Sequence, residues 1–271
     1  MTGTARPPVT LATLRRMKRE GEKIAMLTAY DASFAARLDA AGVDVVLVGD
    51  SLGMVVQGQA TTVPVTVDHV VYHTACVSRG AGAMLVMADM PFLSFRDPAH
   101  ALDNAARLMQ EGGAHMVKLE GGRDVLPVIE ALAGNGIPVC GHIGLQPQSI
   151  HKLGAYRVQG RGPEAAEALR EAARAVAAAG ADLLLMECVP AALAAEITAE
   201  AAVPTIGIGA GLGCDGQVLV LYDLLGITPG PVPRFAADFL AGRDDGIPGA
   251  LRAWVEAVKA GTFPGPEHTF E

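Results

Sequence analysis

The chain has 271 residues, about half of them apolar, and sets 21 Lys and Arg against 29 Asp and Glu for a formal charge of −8. That balance argues against a nucleic-acid surface, and the apolar content is ample for a sizeable core. No apolar run approaches the roughly 18 residues needed to cross a bilayer, and the opening MTGTARPPVT lacks the order of a secretory signal. A cytoplasmic protein with no membrane or nucleic-acid partner is expected.

Leu11 to Glu20 is amphipathic, with Leu11, Leu14 and Met17 on one stripe and Arg15, Arg16, Lys18 and Arg19 beside it, which predicts an N-terminal helix that caps the fold or serves subunit contacts. Short apolar runs then alternate with longer Ala-rich stretches. Strands are predicted at 24–28, 45–48, 84–88, 116–119, 139–141, 183–186, 205–208 and 218–222. Helices are predicted at 32–41, 67–79, 98–111, 125–134, 163–179, 191–201 and 234–259, several ending at a Gly before the next strand, as in AAGVDV and AAGADL. Eight apolar strands without two-residue alternation suit parallel strands buried on both faces. The arithmetic is that of a (β/α)8 TIM barrel with an N-terminal capping helix, one domain over 1–271 with terminal segments 1–9 and 262–271. The short gap between the last two strands leaves a doubly wound open sheet as the alternative. Cys76, Cys140, Cys188 and Cys214 form no C-x-x-C pair and read as reduced, mostly buried residues.

Four predicted strands run into an acid: Asp50 in VVLVGDS, Asp89 in MLVMADMP, Glu120 in MVKLEGG and Glu187 in LLLMECVP. Singly, each suits a helix N-terminus. Together they would meet at the C-terminal rim, where barrels place their chemistry, and the three after strands two, three and four would lie adjacent and repel one another without a cation between them. Oxygen ligands with open positions suit Mg²⁺. Lys118 lies two residues before Glu120 and so faces the barrel interior, as an ion-pair partner, a clamp for a substrate carboxylate or a Schiff-base nucleophile. His69 and His73 stand four apart but lack the Glu of H-E-x-x-H, and IGIGAG at 206–211 lacks full phosphate-loop spacing and reads as a tightly packed loop. The long loops 49–66 and 142–162 are lid or specificity candidates, and His142 at the start of the second is placed to bind substrate or to make a structural hydrogen bond.

LTAYDASFA, VGDSLGMVVQG, PVTVDHVVYHT, MADMPF, MVKLEGG, PVCGHIGLQPQS, YRVQGRG, MECVP, IGIGAG and DGQVLV, in this order over nearly the whole chain, resemble the ketopantoate hydroxymethyltransferase family. The resemblance implies a Mg²⁺-dependent (β/α)8 barrel, one ion per subunit, that moves a hydroxymethyl group from 5,10-methylenetetrahydrofolate to 3-methyl-2-oxobutanoate through a Mg-stabilised enolate, giving ketopantoate for pantothenate biosynthesis. It implies metal ligation by Asp50 and Asp89, with Glu120 as a further metal-associated acid, direct or through water, substrate contacts from Asp50, Ser51, Asp89 and Lys118, and Glu187 as proton acceptor. It also implies a homo-oligomer, commonly a decamer. The apolar neighbours of Glu187 in LLLMECVP are expected to raise its pKa toward that of a working base. The rival readings are a metal-dependent lyase or mutase of the phosphoenolpyruvate and isocitrate lyase kind, a Schiff-base aldolase through Lys118, and a non-catalytic metabolite-binding barrel.

Overall fold

In the computed structural model, which describes residues 6–271, eight parallel strands close into a barrel in sequence order. They are β1 (Ile24–Thr28), β2 (Val45–Val48), β3 (Leu85–Asp89), β4 (Met116–Glu120), β5 (Val139–Gly144), β6 (Leu183–Glu187), β7 (Thr205–Ile208) and β8 (Gly216–Leu219). Strand β8 pairs back onto β1 with Ile24 opposite Gly216, so the open-sheet alternative is set aside. The two-residue pleat sorts side chains into two cores. Ile24, Met26, Val45, Leu47, Leu85, Met87, Met116, Cys140, Leu183, Leu185, Ile206 and Val218 fill the barrel. The residues between them, such as Leu27, Val46, Val86, Val117 and Leu184, face the helices. Because both faces are buried, the strands carry near-continuous apolar runs.

The helices are α1 (Leu11–Glu20), α2 (Ala32–Ala41), α3 (Leu52–Val55), α4 (Val67–Ser78), α5 (Pro98–Gln110), α6 (Leu126–Gly134), α7 (Ile150–Leu153), α8 (Pro163–Ala178), α9 (Ala191–Glu200), α10 (Leu221–Leu224) and α11 (Gly246–Lys259). Their starts follow from local chemistry. Asp31 and Asp97 accept the N–H groups of Phe34 and His100, and Thr66 accepts that of His69. Helix α1 does cap the barrel: Leu14 and Met17 are buried with the inner core. Arg15 pairs with Asp182 and Lys18 with Asp215, anchoring the helix to the segments that lead into β6 and β8.

Three predicted boundaries are corrected; the fifth strand runs to Gly144, not to 141. The eighth strand is Gly216–Leu219, not 218–222, because a Cβ at Gly216 would lie 2.4 Å from the Ile24 carbonyl oxygen; only glycine permits that approach at barrel closure. The chain then turns into α10, where Leu221 N–H donates to Thr28 Oγ1. The closing helix spans Gly246–Lys259, not 234–259; the preceding stretch, with Gly230, Pro231, Pro233 and Gly242, forms turns. Of the predicted terminal segments, residues 1–5 lie outside the described residues. Residues 262–271 pack against the rim, where the Phe270 carbonyl accepts the Ala191 N–H at 2.9 Å. No helix among the described residues is long and apolar enough to cross a membrane.

Candidate active site

The inward alternation of three strands ends in an acid at the C-terminal mouth. Strand β3 runs Leu85, Met87, Asp89; β4 runs Met116, Lys118, Glu120; β6 runs Leu183, Leu185, Glu187. Pairing register then decides which polar groups meet. Asp89 lies opposite Lys118, and Glu120 opposite His142. Lys118 Nζ donates to Asp89 Oδ1 at 2.5 Å, both side chains being almost wholly buried. Asp50 stands just beyond β2, and its N–H donates to Asp89 Oδ2 at 2.9 Å. A Cβ at the adjacent Gly49 would lie 2.8 Å from Ser51 Oγ and 3.4 Å from Asp89 Oδ2, so the missing side chain lets the β2 turn fold over the site.

His142 lies between two carboxylates. Its Nδ1 is 3.6 Å from Glu120 Oε1 and its Nε2 3.3 Å from Glu187 Oε2, close charge contacts and not aligned hydrogen bonds. The Glu187 side chain retains 13% exposure against 3% for Glu120 and Asp89, so it is the most reachable of these three acids. It is followed by Cys188 in a left-handed conformation, φ +50°. The expected apolar setting of Glu187 is therefore incomplete, since an imidazole faces it.

The electrostatics are those of a site with surplus negative charge. Burial and the neighbouring charges of Asp89 and Glu120 push Asp50 well above the usual carboxylate range, and Lys118 and Gln148 offset this only in part. Burial works against charge on Lys118, but Asp89, Glu120 and Asp50 outweigh it and keep the ammonium protonated. Burial would likewise raise Glu120, yet His142, Lys118 and the Gln148 N–H hold it below its ordinary value. Desolvation and Lys118 oppose protonation of His142, and Glu120 and Glu187 together bring it up to about 9.

Two participants were missed from sequence. Gln148 reaches in from the loop after β5: its Nε2 donates to Asp50 Oδ2 at 2.8 Å and to the Met90 carbonyl at 3.0 Å, and its N–H donates to Glu120 Oε2 at 3.0 Å. Tyr30, after β1, shares a 2.8 Å hydrogen bond with Ser51 Oγ. An uncharged amide and a phenol carry no chemical signature in a sequence; only their position in an unusually long loop and at a strand end hinted at them. His69 Nδ1 accepts the Thr66 N–H at the start of α4, and His73 Nδ1 contacts the Tyr30 carbonyl. Gly209 and Gly211 adopt positive φ, and Cβ atoms there would meet Phe235, Phe270 and Ala191, which makes IGIGAG a packing loop. Cys140, Cys188 and Cys214 are buried and all four cysteines are free.

The fold and site together define a (β/α)8 barrel enzyme with a carboxylate-rich C-terminal rim. A sequence profile described as Ketopantoate hydroxymethyltransferase matches residues 8–266. The 3-methyl-2-oxobutanoate hydroxymethyltransferase of Halorhodospira halophila is 59% identical over 263 residues, covering 97% of this chain and 95% of the relative. That of Methylococcus capsulatus is 59% identical over 263 residues, 97% of each chain. Among solved structures, a putative phosphonomutase from Burkholderia cenocepacia J2315 aligns with a TM-score of 0.63 at 20% identity, over 80% of this chain and 93% of its own. A 2,3-dimethylmalate lyase, a PEP mutase/isocitrate lyase superfamily member, aligns with a TM-score of 0.56 at 18% identity, over 81% of this chain and 84% of its own. These two share the barrel fold. The chain belongs to the ketopantoate hydroxymethyltransferase family, and it is a hydroxymethyltransferase.

Proposed function

We propose that this enzyme transfers the one-carbon unit of 5,10-methylenetetrahydrofolate to C3 of 3-methyl-2-oxobutanoate, giving ketopantoate for pantothenate synthesis, with one Mg²⁺ per subunit. The observation that carries the reading is the buried set Asp50, Asp89, Glu120 and Lys118 facing Glu187 across the barrel mouth. Among the described residues no three His, Cys, Asp or Glu side chains form a ready-made metal cage. The donor set nevertheless fits a hard cation, because burial and its acidic neighbours push Asp50 toward holding a proton, and a cation would replace that proton. Asp50 and Asp89 would hold the ion, with Glu120 beside them. When bound, Mg²⁺ would supply a Lewis acid that polarises the keto group and accepts the charge developing on its oxygen.

The chain's own groups do the rest. Lys118, held protonated, and Ser51, whose hydroxyl is oriented by Tyr30, bind the substrate carboxylate. Glu187 removes the proton from C3, and C3 bonds to the one-carbon unit as its two C–N bonds to the folate break; one water supplies the hydroxyl oxygen, and the C3 proton and the two water hydrogens end on the new hydroxyl and the two nitrogens of the departing tetrahydrofolate. His142 holds the Glu187 carboxylate toward the mouth. A protonated Lys118 is a poor amine nucleophile, which weighs against the Schiff-base route. The test is NMR detection of ketopantoate from the two substrates, with Mg²⁺ and in a matched EDTA sample. Metal-dependent product is expected. Product in both samples overturns the metal reading, and product in neither moves the reading to the lyase or binding barrel. The homo-oligomer, a decamer by resemblance, belongs to the same proposal and is checked by light scattering.

A further inference from the structure

The segment between β5 and α8, residues 145–162, runs over the mouth, and one of its side chains is buried in the carboxylate cluster. Gln148 is 5% exposed. Both hydrogens of its amide are used, one on Asp50 and one on the Met90 carbonyl, while its backbone N–H is used on Glu120. A single loop residue thus touches two acids carried by different strands. The type of residue matters. An Arg or Lys here would neutralise the carboxylates and compete with a cation, whereas an amide fixes their oxygens and leaves the negative charge in place. A loop that served only to cover the mouth would not need three donors aimed at this cluster.

We propose that Gln148 is a positioning residue for the metal: it orients Asp50 and Glu120 toward the ion and, through the same bonds, couples the ion to the docking of loop 145–162. This rests on the metal reading above. Outer partners of ligating carboxylates are commonly worth about 10–100-fold in metal affinity. Gln148→Met keeps the side-chain length and removes both amide donors. Mn²⁺ titration followed by electron paramagnetic resonance gives affinity without turnover, and hydrogen exchange on the same samples reads the loop. The expected result is 10–100-fold weaker Mn²⁺ binding in Q148M, with ion-dependent protection of residues 145–162 in the wild type that is lost in the variant, and activity recovered at saturating Mg²⁺. Should Q148M fail to fold by circular dichroism, Gln148→Asn, one methylene shorter, withdraws the same donors. Affinity within twofold of wild type overturns the positioning role, and equal ion-dependent loop protection in both proteins overturns the coupling. A wild type that binds no Mn²⁺ overturns the metal reading itself, and this inference with it.

Discussion

Lys118 shows how one residue acquires meaning from its neighbours. Its inward direction followed from its spacing to Glu120, and the cation reading is supported over the nucleophile reading by Asp89 on the adjacent strand, which accepts its hydrogen bond and keeps it charged. Removing Asp89 leaves a buried unpaired ammonium, so Asp89→Ala should weaken metal dependence and substrate binding together, seen as a joint rise in the KM for the oxo acid and for Mg²⁺. Glu187→Gln should keep oxo-acid binding and lower C3 proton exchange in deuterated water by about 10²–10⁴-fold, followed by NMR; retained exchange removes Glu187 from the base role. Tyr30→Phe frees the Ser51 hydroxyl and should weaken oxo-acid binding roughly two- to tenfold, the worth of one hydrogen bond, with kcat little changed.

At the scale of elements, periodicity and glycine punctuation were sufficient wherever a helix carries its own start and stop signals, as α2 does between Asp31 and Gly42. They failed where the signal lay in a partner. Strand β8 begins at a glycine that no strand pattern would choose, because Ile24 of β1 leaves room for nothing larger. Gly216→Val should therefore open the β8–β1 seam and lower the melting temperature sharply, with a milder loss for Ala. Helix α1 was legible from its apolar stripe, and its burial as a floor for the barrel turns that stripe into energy. Leu14→Ala should cost about 2–5 kcal/mol by denaturant titration, as expected for a fully buried leucine.

For the whole molecule, the acid cluster ties stability to pH and, on the proposed function, to metal. Burial and repulsion raise the folded-state pKa of Asp50, so the metal-free protein binds a proton there more tightly than the unfolded chain does. That contribution is fully present below the ordinary aspartate range and is lost as pH rises through the raised value. On the proposed reading a cation would substitute for the proton, so Mg²⁺ should raise the melting temperature more at pH 8 than at pH 5.5, and EDTA should abolish the difference. Equal Mg²⁺ stabilisation at both pH values would disconnect the ion from Asp50.

The primary sequence by itself determined the eight-fold alternation, the inward direction of Lys118 and the acids at the strand ends, because these depend on local periodicity and on residues with distinctive charge. The tertiary structure decided which of them touch. Closure of the barrel and its register brought Asp89 to Lys118 and Glu120 to His142, and loop docking brought in Gln148, 98 positions along the chain from Asp50. Such contacts arise from pairing between strands and from a loop folding back over the mouth, and no local pattern encodes either.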